Sequence, residues 1–225
     1  GYPPFEYYAD DGSTPMGFDV LLGKEIAKRL GLEAEFIDTA WDGIFAGLDT
    51  DRYDVVMSAA TITPERVANY DFSTPYIGNG QAIILRKDST LNITKFEDLA
   101  GLKVGYQAET TSDFYTKKHS AESGFTYVEN AYDKVMNAYD DLKLGRIDAV
   151  VSDSLVAVNY LSVPNTEFKQ VWSAEPDEYF GVCMKKGNTV LQEKVNAILE
   201  DMKKDGSLKQ IYMEVFNMDL SDSIK

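Results

Sequence analysis

Cysteine and histidine are almost missing, with Cys183 and His119 the single examples in 225 residues. A lone cysteine cannot close an internal disulfide or form a C-x-x-C redox pair, and a lone histidine cannot build an H-E-x-x-H zinc site. Metal and thiol chemistry are therefore not expected. No apolar run approaches the ~20 residues needed to cross a bilayer, and no charged-then-apolar leader stands at the start. Positive charge is also short. With 22 Lys and Arg against 37 Asp and Glu, the net charge is −15, and the cations are scattered. Such a chain is repelled by phosphate backbones and anionic lipid headgroups, so no nucleic-acid partner is expected. Gly78-Asn79-Gly80 lacks the spacing of a dinucleotide loop and no G-x-x-x-x-G-K run occurs, so no nucleotide or other cofactor is implied. The opening Gly1-Tyr2-Pro3-Pro4-Phe5 reads as a loop with no element before it, and the expectation is that leading residues have been trimmed or omitted.

What is present suits a folded protein. At 44% hydrophobic and 26% charged residues, the chain can bury a sizeable core in one large or two small domains. Phe18, Leu22, Ile26 and Leu30 recur every four residues, with Gly31 after the last, and predict an amphipathic helix. Ala34–Asp38 then reads as a short strand, Trp41, Ile44, Phe45 and Leu48 as the apolar stripe of a second helix, and Asp54–Ser58 as a buried strand. The same grammar returns: strand Lys103–Gln107, helix near Ser112–Lys118, strand Phe125–Glu129, helix Asp133–Leu144, strand Asp148–Ser152. Strands alternating with helices predict an α/β class with a mainly parallel sheet. Tyr179–Met184 reads as a further strand, followed by helices near Val190–Lys204 and Leu208–Phe216. No Pro, Gly or Ser-rich linker intervenes, so the crossings between lobes are expected in ordered strands, Gln81–Lys87 outward and Glu178–Met184 back.

Leu48-x-x-x-Arg52-x-Asp54-x-Val56-x-Ser58 and Leu142-x-x-x-Arg146-x-Asp148-x-Val150-x-Ser152 repeat the same residue types at identical spacing. Either two related lobes or two convergent helix-to-strand turns would give this. Both readings place Ser58 and Ser152 at strand ends, where open α/β sheets bind ligands.

The densest constellation is Ser58-Ala59-Ala60-Thr61-Ile62-Thr63-Pro64-Glu65-Arg66. Thr63 can cap a helix whose first position is Pro64, with Arg66 in its first turn. Backbone donors, a helix start and a forked guanidinium together suit a carboxylate, although an ordinary capped helix with a solvated Arg reads equally from this segment. Asp153 is open to two roles, the N-cap of the next helix or a carboxylate facing a ligand ammonium. Tyr2, Phe5 and Trp41 suit the core, but Tyr2 falls outside any apolar periodicity. Cys183, inside an apolar strand, reads as an inert buried thiol, and His119-Ser120 has no acidic partner in triad order.

With these residues in place, the chain resembles the extracytoplasmic solute-binding proteins for polar amino acids that serve ABC importers, over essentially its whole length. The resemblance rests on Tyr2-Pro-Pro-Phe-Glu-Tyr, Gly17-Phe-Asp-Val, Ala40-Trp-Asp-Gly-Ile-Phe, Ser58 to Arg66, Tyr70-Asp-Phe-Ser-Thr-Pro-Tyr76, Asp98-Leu-Ala-Gly-Leu-Lys-Val-Gly105, Gly145 to Asp153 and the Lys204-Asp-Gly tail. It implies a two-lobed, periplasmic-binding-protein-like flytrap with two crossing hinge strands, lobe 1 being residues 1–84 and 181–225 and lobe 2 residues 85–180. It also implies a ligand site without catalysis. Arg66 would grip the α-carboxylate with Thr61, Thr111 and backbone at Ser58 and Ala59. Asp153 would take the α-ammonium, and Tyr2 and Trp41 would sandwich the side chain. Expected partners are a free polar L-amino acid, such as arginine, lysine or glutamine, and membrane permease subunits. The protein is expected as a monomer outside the cytoplasm, in the periplasm or anchored as a lipoprotein.

Two rivals share the scaffold: a dehydratase of the cyclohexadienyl type, disfavoured by the poverty of proton-transfer groups, and a receptor's sensing domain, disfavoured by a chain end without a membrane span. Departures from the family pattern are the missing strand before the Tyr-Pro-Pro-Phe loop, Leu21 where an acidic residue is usual, and Glu109 where glycine is common.

Overall fold

Gly17 sets the entry to the first helix, α1 (Phe18–Leu30). In the computed structural model, which describes residues 1–224, this glycine has φ +113°, and the Phe18 and Asp19 N–H groups donate to the Pro4 and Phe5 carbonyls at 2.9 Å each. A Cβ at Gly17 would lie 2.4 Å from the Phe5 oxygen, so only glycine fits. Gly17→Ala should cost roughly 1–3 kcal/mol, read as a lowered thermal midpoint. An unchanged midpoint would show that the loop can move aside. Before α1 lies an antiparallel ribbon of β1 (Tyr7–Tyr8) and β2 (Pro15–Met16). On α1 itself Phe18, Leu22 and Ile26 are buried, as the four-residue spacing predicts.

The next two expectations are not met. Ala34–Asp38 enters no ladder among the described residues. Strand backbone is stabilised only by a bonded neighbour, and this stretch has none. The helix expected on Trp41, Ile44, Phe45 and Leu48 shrinks to α2 (Ala46–Asp49). Asp42-Gly43 are poor helix formers, and tighter turns precede α2, with the Ile44 N–H bonded to the Trp41 carbonyl and the Ala46 N–H to that of Gly43. The following strand is only β3 (Val55–Val56). Then come α3 (Pro64–Asn69), β4 (Tyr70–Phe72) and β5 (Ile77–Asn79).

The middle of the chain is a compact unit, Gly80–Asp177. Its elements are β6 (Gln81–Arg86), β7 (Lys103–Gln107), α4 (Thr111–Ser123), β8 (Val128–Tyr132), α5 (Val135–Lys143), β9 (Ala149–Asp153), α6 (Ser154–Leu161) and β10 (Phe168–Ser173). The sheet order is β10-β6-β9-β7-β8. Only the β7 pairings with β8 and β9 are parallel, so the mainly parallel expectation holds for half the sheet. β8 begins later than the predicted Phe125, and in the approach to it the Thr126 carbonyl accepts from the Gly101 N–H. Ile83, Leu85, Phe96, Val104, Tyr106 and Val151 form this unit's core.

Returning, the chain completes the other unit, made of Gly1–Asn79 and the residues from Glu178 onward. The single strand expected at Tyr179–Met184 is broken at Gly181-Val182. β11 (Glu178–Phe180) pairs with β5, whereas β12 (Cys183–Lys185) lies between β3 and β4 in a separate, antiparallel sheet. The unit boundaries accordingly fall at Asn79/Gly80 and Asp177/Glu178 and not at 84/85 and 180/181, since β6 bonds along its length into the middle unit's sheet. Helices α7 (Thr189–Asp205) and α8 (Ser207–Phe216) close the unit. Its core is aromatic. Phe5, Phe18, Tyr76, Phe180, Tyr212 and Phe216 pack with neighbouring ring centroids 5.4–6.0 Å apart, the ends of the range being Phe5–Phe180 and Phe5–Phe18.

The repeated Leu-x-x-x-Arg-x-Asp pattern is one turn used twice. Asp51 (φ +53°) and Gly145 (φ +70°) both end a helix in the left-handed region. In each case the next N–H, of Arg52 or Arg146, reaches back to the carbonyl of Gly47 or Asp141 at 2.9 Å. Leu48 and Leu142 are both buried beneath these turns.

Candidate functional site

In the first unit the chain leaves β3 and turns into α3 as expected. The Arg66 N–H donates to Thr63 Oγ1 at 3.2 Å, and Pro64 opens the helix. Arg66 Nη1 donates to the Thr61 carbonyl at 3.0 Å, which ties the guanidinium back to the strand end. Two rings then flank it: Cζ lies 5.2 Å from the Trp41 centroid and 5.0 Å from that of Phe45. The rings meet edge-to-face at 5.5 Å and 77°, and Phe45 also leans on Tyr70 at 5.5 Å. Phe45 is a neighbour of Arg66 that sequence reasoning missed. Its signal was its place beside Trp41 on one apolar stripe.

The other expected residues of this unit divide by what they touch. The Ser58 hydroxyl donates to Glu6 Oε1 at 2.5 Å, and the Ala59 N–H donates to Asp19 Oδ2 at 2.7 Å. Both groups thus hold the strand end against the Pro-Pro-Phe-Glu loop and α1. Thr61 is buried and bridges to Phe180. Tyr2 is also buried, lying 6.3 Å from the Phe5 ring at an interplanar angle of 28°.

Glu6 and Asp19 are a pair of buried acids under this strand end. Burial raises Asp19 to about 7 against the donation from Ala59, and burial together with the nearby Asp19 raises Glu6 well above the ordinary carboxyl range. Folded Asp19 therefore holds a proton that an unfolded carboxyl, with a pKa of about 3.9, releases. Between about pH 4 and pH 7 the folded state binds more protons than the unfolded one, so stability should fall as pH rises across that window. Exposed Asp205 and Asp219, both lowered to about 2 by hydrogen bonds and a basic neighbour, act with the opposite sign only below about pH 4. Asp19→Asn keeps the acceptor for Ala59 and should reduce the pH 4–7 slope of the thermal midpoint, with buried Glu6 carrying the remainder. An unaltered slope would assign it to other groups.

In the second unit, ladder register sets Gln81 opposite Asp153. Gln81 Nε2 donates to Asp153 Oδ1 at 2.9 Å, Ser112 Oγ donates to Gln81 Oε1 at 2.7 Å, and Thr111 Oγ1 lies 3.5 Å from Gln81 Nε2. Asp153 stands at the N-cap position of α6, but its side chain makes no capping bond. The helix-cap role is thereby corrected, since the carboxylate turns to Gln81. Gln81 is the second residue missed, and a polar side chain opening the otherwise apolar run Ala82–Leu85 was its signal. Thr110, not Thr111, caps α4, accepting from the Asp113 N–H. Glu109 precedes it at φ +61°, with its N–H on Asp113 Oδ2 at 3.0 Å. This turn carries the side chain in a conformation that glycine adopts at lower cost.

The remaining candidates are structural. Cys183 is fully buried in β12, and burial pushes its thiol up to about 12, where it is neither nucleophile nor ligand. His119 stacks on Tyr115 at 3.9 Å, with Nδ1 3.0 Å from the Tyr115 carbonyl.

The chain matches the family model for bacterial extracellular solute-binding proteins, family 3, over residues 1–218. It is 36% identical to the L-cystine-binding protein TcyJ of Escherichia coli K12 over 220 residues, covering 98% of this chain and 81% of that protein. Among solved structures it is similar to an ancestral arginine-binding protein bound to arginine, with 41% identity, a TM-score of 0.89, and 96% of this chain and 94% of that one covered. An ancestral arginine-binding protein bound to glutamine gives a TM-score of 0.88 at the same identity and coverage. A capped helix presenting Arg66, an oriented acid at Asp153 and a match spanning nearly every residue lead to one assignment: the chain belongs to the bacterial extracellular solute-binding proteins, family 3.

Proposed function

We propose that the protein captures one free L-α-amino acid with a long polar side chain and delivers it to the membrane permease of an ABC importer outside the cytoplasm. The observation that carries this reading is the held guanidinium of Arg66, flanked by Trp41 and Phe45 and anchored on Thr61, which suits the fork needed for a carboxylate. The buried acid Asp153, oriented by Gln81, is the matching group for an α-ammonium. Thr111 lies beside Gln81 and is assigned to the carboxylate end, and Ser58 contributes backbone, whereas the Ala59 N–H is already held by Asp19 and is not available as a donor. Tyr2 and Trp41 are assigned to the ligand's side chain, with Trp41 bracing Arg66 as well. Relatives named for cystine and arginine, and a neighbour solved with arginine or glutamine, favour a long polar side chain over a small one.

Isothermal titration against the twenty amino acids, cystine and prephenate tests this. Micromolar or tighter binding of arginine, lysine, glutamine or cystine, with glycine and alanine weaker, is expected. Turnover of prephenate, with no amino acid giving heat, would replace the reading by a dehydratase. Phe45→Leu should weaken amino-acid binding about 2- to 30-fold, corresponding to about 0.5–2 kcal/mol for a cation–π contact, with little change in thermal midpoint. Phe45→Tyr should restore it. Equal affinity in Phe45→Leu would remove Phe45 from the site.

A further inference from the structure

Gln81 and Asp153 each end a row of core residues in the second unit. Strand side chains alternate, so Gln81 shares a face with Ile83 and Leu85 of β6, and Asp153 with Ala149 and Val151 of β9. Ladder register sets the two polar ends opposite each other, and Gln81, Asp153 and Ser112 are buried at 0%, 3% and 2% exposure. A carboxylate only accepts hydrogen bonds, so it requires the N–H end of the Gln81 amide. The same amide turned over would set one oxygen against another. Ser112, in the first turn of α4, donates to Gln81 Oε1 at 2.7 Å, which leaves Nε2 for Asp153 Oδ1 at 2.9 Å. Thr111 Oγ1, 3.5 Å from Nε2, is an acceptor on the same side.

We propose that Ser112 and Gln81 are positioning residues for Asp153: they hold its buried carboxylate charged and in one orientation, so that an ammonium is captured at acidic as well as neutral pH. Burial favours the neutral form of a carboxyl, and hydrogen bonds donated to it favour the charged form. Here two donations run in series, and the Ser112 hydroxyl polarises the amide that bonds to Asp153. Among the titratable groups on the elements packed against β9, Tyr106 of β7, Tyr139 of α5 and Tyr160 of α6 are all raised by burial and stay neutral below pH 8. Asp113, beside Ser112 on α4, is paired with Lys117 at 2.8 Å, and His119 of the same helix stacks on Tyr115. Arg86 lies at the other end of β6. Only the link from Asp153 to a ligand rests on the function proposed above, and the link from Ser112 and Gln81 to Asp153 stands without it.

The test compares the present chain with Gln81→Met, which keeps the length of the side chain without its amide, and with Ser112→Ala. In the ligand-free proteins the Asp153 carboxyl carbon, identified by its absence in Asp153→Asn, is followed by NMR from pH 4 to pH 9. Its titration should lie at least about one pH unit higher in Gln81→Met and shift less, in the same direction, in Ser112→Ala. Arginine and glutamine, each with its deaminated analogue, are then titrated at pH 5 and pH 8. Relative to the unsubstituted chain, Gln81→Met should lose at least about fivefold more amino-acid affinity at pH 5 than at pH 8, whereas the analogues, which carry no α-ammonium, should show no such loss. Should Gln81→Met fail to fold, Ser112→Ala decides by the same sign. An Asp153 titration that is the same in every folded variant overturns the proposal and leaves Gln81 and Ser112 as packing. A shifted titration without the loss of affinity at pH 5 overturns the ammonium assignment and leaves the positioning of Asp153 intact.

Discussion

Arg66→Ala should weaken amino-acid binding by about 2–5 kcal/mol, or about 30- to 5,000-fold, the range for removing one partner of a desolvated charge pair. The side chain sits at the first turn of α3, where Thr63 already caps the helix through the Arg66 backbone N–H, a bond that alanine retains. The folded state loses the Thr61 contact and the packing against Trp41 and Phe45, so a modest fall in thermal midpoint accompanies a large loss of affinity. Arg66→Lys should remain poor. An ammonium keeps the charge but not the planar fork, and it lies less well between two rings. Titration of all three proteins with arginine and glutamine decides the matter. Wild-type affinity in Arg66→Ala would remove the carboxylate assignment.

Asp153→Asn is expected to have a comparable effect through the opposite charge. Asparagine keeps the volume and an oxygen to accept from Gln81, so the ladder neighbour at 2.9 Å is not stranded. What disappears is the negative charge assigned to the α-ammonium, and binding should weaken by about 2–5 kcal/mol while the thermal midpoint without ligand stays close to wild type. Because the Asp153 side chain makes no capping bond to α6, a stability loss is not the expected explanation for a binding defect. The ligand series adds a sign. Asp153→Asn should lose discrimination between an amino acid and its deaminated analogue, whereas Arg66→Ala should lose discrimination between the acid and its amide. Unchanged selectivity in Asp153→Asn would move the ammonium site elsewhere.

Much of the local structure around Arg66 was legible in the sequence. Thr63, Pro64 and Arg66 are a helix start written in consecutive residues, and the cap, the first position and the first-turn guanidinium need no tertiary information to be placed. The four-residue spacing on α1 and the two Leu-x-x-x-Arg-x-Asp turns are of the same kind, since backbone hydrogen bonds within a few residues decide them.

Strand existence and pairing are not local. Ala34–Asp38 has the composition of a strand and no ladder, while Tyr179–Met184 reads as one strand and is divided between two sheets, because a strand is defined by the neighbour that bonds to it. The same holds for side-chain roles. Asp153 has the position of a cap but turns to a glutamine far away in the chain, Trp41 faces an arginine, and Glu6 and Asp19 become a buried pair only when the Pro-Pro-Phe-Glu loop folds against α1. By itself, then, the sequence determined the α/β class, the helix start at Thr63-Pro64 and the family. Tertiary structure alone decided which donors remain for backbone, which acid is buried and which strand edge is left open, since hydrogen bonding and burial depend on residues distant in sequence.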